Sequence, residues 1–191
     1  SFVGSSKVAE YVYKQACQHR KRVQAAGGAK NVLLVLPDAD PEPTMQALLS
    51  SAFGCAGQRC MAGSLLMGIG SAGESLREQV VGAMDGLKMD DTVANPTAGM
   101  GPVIDGLARQ RIFDRIGQAA NQGLPVVRDG REGVPEQGFF VGPTLVDQVT
   151  TGHDIFGEEL FGPVLSMMHP SSLEQAITWF NELPFGNAAT I

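Results

Sequence analysis

Cys60 lies in the run Phe53-Gly54-Cys55-Ala56-Gly57-Gln58-Arg59-Cys60-Met61-Ala62-Gly63-Ser64, a glycine-flanked loop expected between a helix and an apolar strand. A thiol displayed on such a turn is a candidate nucleophile. A reactive cysteine needs backbone freedom, N–H donors and positive charge to hold its thiolate, whereas an inert one needs only apolar neighbours. Gly57 and Gly63 offer the freedom and Arg59 the charge. Arg59 also suits an anionic substrate group, because guanidinium meets carboxylate through two parallel hydrogen bonds. From these residues alone, Cys60 as an inert buried thiol and Arg59 as an ordinary surface cation stay open as alternatives. A metal or redox pair of Cys55 and Cys60 fits poorly: four residues separate them, and His19, His153 and His169 are scattered along the chain. No metal site is expected.

The loop needs a scaffold, and the surrounding pattern supplies one. Ser5 or Ser6 can cap a helix carrying Val8, Tyr11, Val12 and Ala16 on one face. Val23 to Ala26 reads as a short strand. Asn31 to Leu36 is an uninterrupted β-prone run of the kind buried in parallel sheets. A helix from about Pro43 to Phe53 then feeds the cysteine loop, and Ser64 to Ile69 forms the next strand. Leu76, Val80, Ala83, Met84 and Leu87 mark a further helix, followed by a surface loop over Lys88 to Pro102. Leu107 to Asn121 reads as a helix, as does the stretch around Leu173, Ala176, Ile177 and Phe180. Leu124–Val127, Gly142–Val146 and Pro163–Met168 are strands. Strands alternating with helices predict an α/β fold: an open, mostly parallel twisted sheet with helices on both faces, whose ligands bind beyond the strand carboxyl ends. Another strand begins as the sequence stops, as expected of an excised piece.

At 191 residues and 43% hydrophobic content the chain suits one domain. A net charge of -6 leaves no electrostatic footprint for nucleic acid. No apolar run approaches the roughly 20 residues that span a bilayer, so no membrane partner is expected. Three cysteines, an odd set in a chain too large to need disulfide staples, point to a reducing compartment: cytoplasmic, or the mitochondrial matrix in a eukaryote.

Several separated segments together resemble one family. Gly57-Gln58-Arg59-Cys60 resembles the Gly-Gln-x-Cys signature of the aldehyde dehydrogenase superfamily, and Glu158-Glu159-Leu160-Phe161-Gly162-Pro163-Val164 resembles its Glu-Glu-Ile-Phe-Gly-Pro-Val segment. Ser1-Phe2-Val3-Gly4-Ser5-Ser6 is similar to its pyrophosphate-contacting Phe-x-Gly-Ser-Thr turn, and Pro184-Phe185-Gly186 to a late Phe-Gly element. Within the superfamily, Lys21 to Ala25, Gly28-Ala29-Lys30-Asn31, Pro37 to Asp40 and Gly57 to Ala62 look most like the methylmalonate-semialdehyde dehydrogenase branch, which acylates coenzyme A.

The resemblance implies attack of Cys60 on an aldehyde, hydride transfer to NAD, and transfer of the acyl group from Cys60 to coenzyme A. It gives Arg59 the substrate carboxylate, Ser5 the cofactor pyrophosphate turn, Glu159 a cofactor ribose and Phe161 the nicotinamide. Hydrolytic members carry a glutamate base four residues before the lysine that aligns with Lys30; here that position is Ala26. General-base assistance is worth about 10²–10⁴ in rate, so its absence favours a thiol over water as the acceptor. The resemblance also implies that residues 1–191 form a catalytic-domain portion, without most of the cofactor-binding domain and the C-terminal end, and that the full-length protein is a homo-oligomer. A hydrolytic or other aldehyde dehydrogenase remains an alternative, as does a catalytically silent domain serving oligomerisation or binding.

Overall fold

The computed structural model describes residues 1–191 except the side chain of Glu74. The elements run β1 (Phe2–Val3), α1 (Ser6–Gln18), β2 (Ala25–Ala26), β3 (Asn31–Val35), α2 (Pro41–Phe53), β4 (Gly63–Gly68), α3 (Ala72–Met84), α4 (Gly106–Asn121), β5 (Val126–Arg128), β6 (Thr144–Val146), α5 (Asp154–Gly157), β7 (Val164–Met168), α6 (Leu173–Phe180) and β8 (Ala189–Thr190). The main sheet has the order β5-β6-β7-β4-β3-β8. It is parallel from β6 to β8, with β5 antiparallel at one edge.

Apolar runs without alternation become its central strands. All of β6 and β7, and every residue of β4 but Ser64, are buried. Successive side chains on a strand point to opposite faces, so burial of both sets means that both faces are covered. The helices do this: α2 buries Leu48, Ala52 and Phe53, and α4 buries Ile112, Ile116 and Ala119, which recur at helical spacing. The fold is thus an open, mostly parallel α/β sheet covered by helices. Among the described residues, no helix is long and apolar enough to cross a membrane.

Three details depart from expectation. Helix α2 starts at Pro41, two residues early, because proline fits the first helical position, where the missing N–H has no partner to lose. The short helix α5 carries no periodic signal that four residues could show. The face of α1 that periodicity assigns to a core stays outside: Val8 and Tyr11 are exposed and only Ala9 is buried. This helix belongs to a separate unit in which β1 pairs in parallel with β2, Phe2 with Ala25 and Val3 with Ala26. Two such short strands cannot cover a four-turn helix. Their contribution is local, since they set Val3, Gly4 and Ser5 beside Ala26, Gly27 and Gly28.

Candidate active site

The nucleophile turn follows directly from the end of α2. Cys55, Ala56 and Gly57 are all left-handed, with φ of 52°, 52° and 68°. For the two residues with a Cβ that conformation costs roughly 1–2 kcal/mol each, and packing explains why it persists. A Cβ on Gly57 would stand 2.3 Å from the Gly162 carbonyl oxygen, so the turn rests on the backbone of the Glu158–Val164 segment. The two signatures, a hundred residues apart in sequence, are in van der Waals contact. Gln58 ties the turn to the loop before α4: its Oε1 accepts from the Ile104 N–H at 2.8 Å, and its Nε2 donates to the Pro102 carbonyl at 3.3 Å.

Cys60 is exposed and lines a cavity of about 820 Å³. Opposite it are the β1–β2 edge, represented by Ser5, Ala26 and Gly28, and the downstream residues Glu159 and Phe161. The backbone at Gly28 passes close to the Glu159 carboxylate: a Cβ there would lie 2.5 Å from Glu159 Oε2, which would have to turn aside. The Gly28 N–H donates to Ser6 Oγ at 3.0 Å, which ties the turn after β1 to the loop after β2. Phe161 has φ of 50°, a strained conformation for an aromatic residue and one that tends to be kept where function demands it.

Three cations hold that segment in place. Arg111 Nη2 donates to the Leu160 carbonyl at 2.8 Å, just before the strained Phe161. Arg115, one helical turn on, pairs with the Glu158 carboxylate at 2.8 Å. Lys30, only 3% exposed, donates to the carbonyls of Ile155 at 2.8 Å and Glu158 at 3.0 Å. Burial pushes the Lys30 pKa down to about 8, against the opposing pull of Glu158 and Glu159. The unfolded chain keeps the ordinary, higher lysine value. Below about pH 8 both states are protonated and the contribution of Lys30 to stability is flat. Above it the unfolded state binds more protons, so that contribution rises with pH. Urea unfolding of wild type and Lys30→Met should therefore show the wild type gaining on the order of 2 kcal/mol relative to the variant between about pH 8 and pH 9.5. A constant gap would contradict a Lys30 pKa lowered by burial.

Of the residues that the sequence singles out, the structure brings Cys60, Ser5, Ala26, Glu159 and Phe161 to one cavity. It does not bring Arg59. The Arg59 Nη2 donates to the carbonyls of Ser50 at 2.6 Å and Ser51 at 2.8 Å, in the last turn of α2, where the Ser50 carbonyl also accepts the Gly54 N–H. In this structure the guanidinium caps the end of α2. The arginine that lines the cavity is Arg111. Its only signal in the sequence was two arginines at i and i+4 beside the buried face of α4. Asn187, bonded to the Cys60 turn, carried none, and Asn31, bonded to the same turn, ended the Gly28–Asn31 segment without a role.

A model of the aldehyde dehydrogenase family matches residues 1–191. The chain is 43% identical over 193 residues to malonate-semialdehyde dehydrogenase 1 of Geobacillus thermodenitrificans, covering 100% of this chain and 40% of that protein. It is 42% identical over 195 residues to malonate-semialdehyde dehydrogenase of Bacillus subtilis subsp. natto, covering 100% of this chain and 39% of the relative. Its structure is similar to that of methylmalonate-semialdehyde dehydrogenase from Oceanimonas doudoroffii, with a TM-score of 0.94, 40% identity, and coverage of 98% of this chain and 39% of the other. It is also similar to the NAD+ complex of an aldehyde dehydrogenase from Bacillus cereus, with a TM-score of 0.93, 29% identity, and coverage of 98% and 38%. The chain spans about 40% of the length of the curated relatives it matches.

Proposed function

Because the chain belongs to the aldehyde dehydrogenase family, we propose that it is the catalytic portion of an NAD-dependent enzyme that oxidises a malonate- or methylmalonate-type semialdehyde and passes the acyl group from Cys60 to coenzyme A. The observation that carries this reading is that Cys60 and Ala26 share one cavity, with a methyl group where a hydrolytic member of the family has its base.

The Cys60 thiolate adds to the aldehyde carbonyl, and the Cys60 backbone N–H holds the developing oxyanion. NAD, when bound, supplies the acceptor for the hydride that leaves the former aldehyde carbon. What supports this reading is that Ser5, Glu159 and Phe161 line one cavity with Cys60; in it Glu159 would take a ribose hydroxyl, the Ser5 turn the pyrophosphate, and Phe161 would pack on the nicotinamide. A thioester then remains on Cys60. With no base at Ala26 water attacks it slowly, whereas a coenzyme A thiol is already a few per cent ionised near neutrality. Attack of that thiolate expels the Cys60 thiolate and completes acyl transfer.

Arg59 enters with a condition. To meet a substrate carboxylate, its guanidinium must leave two neutral carbonyls for a charged acceptor, an exchange that charge assistance favours. The remaining length of such an enzyme would supply a second oxyanion donor, most of the cofactor site and the contacts of a homo-oligomer, so this chain alone is expected to be inactive in aldehyde oxidation: its thiol can add to an aldehyde but the hydride is not removed and no thioester forms. The free, exposed thiols of Cys17, Cys55 and Cys60 suit a reducing, cytoplasmic setting.

The test is NADH formation from malonate semialdehyde by a chimera in which this chain replaces its matching portion of the Geobacillus enzyme. Turnover should require coenzyme A. Equal turnover without it would overturn the acylating assignment.

A further inference from the structure

Two amide side chains from distant parts of the chain converge on the backbone of the nucleophile turn. Asn31, at the start of β3 and 4% exposed, donates through Nδ2 to the carbonyls of Cys60 at 2.9 Å and Ala62 at 2.8 Å. Asn187, just before β8, donates through Nδ2 to the same Cys60 carbonyl at 3.0 Å and to Asn31 Oδ1 at 3.2 Å. On the other side of Cys60, the Arg59 carbonyl is taken by the Ala62 N–H at 3.0 Å. Both carbonyls flanking the Cys60 Cα are therefore fixed. A peptide group is planar, so holding the Arg59 carbonyl sets the direction of the Cys60 N–H, and holding the Cys60 carbonyl removes the remaining rotation of that residue. Among the described residues, no protein acceptor takes the Cys60 N–H.

We propose that Asn187, acting with Asn31, is a positioning residue for the oxyanion donor: it fixes the Cys60 carbonyl so that the Cys60 N–H stays free and aimed at the carbonyl under attack. Asn187 is exposed and borders the cavity, so its amide serves this turn and not the core. The inference rests on the thioester role of Cys60.

Two reagents applied to the full chain separate oxyanion holding from thiol reactivity. With p-nitrophenyl acetate, the Cys60 thiolate adds to the ester carbonyl through an oxyanion. The bond to p-nitrophenolate breaks with its electron pair, the acetyl group stays on sulfur and the thiol proton goes to solvent. With iodoacetamide, the same thiolate displaces iodide and no oxyanion forms. Both adducts are read by mass on the Cys60 peptide. Since loss of one oxyanion donor typically costs 10²–10³, loosening its mount in Asn187→Leu should slow acetylation roughly tenfold. Alkylation should be unchanged, and Asn187→Gln, which keeps the donor, should recover most of the acetylation rate. Acetylation unchanged in Asn187→Leu, or both reactions slowed in proportion, would overturn the proposal. Failure of the underlying reading looks different: in wild type, Cys60 would then acetylate no faster than Cys17 or Cys55.

Discussion

Ala26→Glu is expected to speed hydrolysis of the Cys60 thioester about a hundredfold, the lower end of what a positioned general base contributes. Ala26 ends β2, is paired with Val3 and lines the cavity that holds Cys60. Its side chain is exposed, so a longer one meets solvent-filled space. A glutamate there is ionised at neutral pH, because nothing buries it, and it can take a proton from water attacking the thioester. Ala26→Gln has the same shape and no basic oxygen. It should leave hydrolysis as slow as in the wild type. The measurement is decay of the acyl adduct on Cys60, by mass, without added thiol. An adduct in Ala26→Glu that decays at the wild-type rate would place Ala26 away from the path of water and remove the physical reason for preferring coenzyme A.

Gly57→Ala is the largest expected loss. The substitution puts a Cβ 2.3 Å from the Gly162 oxygen and 2.7 Å from the Gly162 carbonyl carbon, and both are backbone atoms with no rotamer to escape into. It also asks alanine to hold φ of 68°. Left-handed strain of about 1–2 kcal/mol and overpacking of about 1–3 kcal/mol together give roughly 3 kcal/mol, readable as a lower urea midpoint. The turn must lift off Gly162, so Cys60 acetylation should fall with it. Cys55→Gly is the counter-case. Cys55 is exposed with φ of 52°, and glycine relieves strain there, so stability should hold or rise. Equal stability of Gly57→Ala and wild type would mean that the two signatures do not rest on each other.

The parallel core was legible because β4, β6 and β7 are buried on both faces and therefore read as mainly apolar runs without alternation, while α4 shows its buried Ile112 and Ile116 at helical spacing. The antiparallel edge pairing of β5 was not legible: Val126–Arg128 is three residues long, and pairing direction leaves no mark on so short a run. At the site, Cys60, Ser5, Glu159 and Phe161 could be picked out because they sit inside contiguous motifs. The network that holds them was invisible for the opposite reason. Asn31 and Asn187 meet through a contact of 156 residues in sequence separation, and the Lys30 bond to Glu158 spans 128. The direction of Arg59 was not legible. Position next to Cys60 in sequence says nothing about which way a long side chain turns, and here it reaches back to the carbonyls of Ser50 and Ser51 at the end of α2.

The central claim is that Cys60 holds an acyl group that a thiol, and not water, removes. The most direct measurement is a single turnover of malonate semialdehyde by the completed chimera with NAD, followed by mass spectrometry of the Cys60 peptide. Without coenzyme A the acyl adduct should accumulate on Cys60 and persist; with it, the adduct should disappear as acyl-coenzyme A forms. An adduct that vanishes equally fast in water alone, or one found on a residue other than Cys60, would contradict the account.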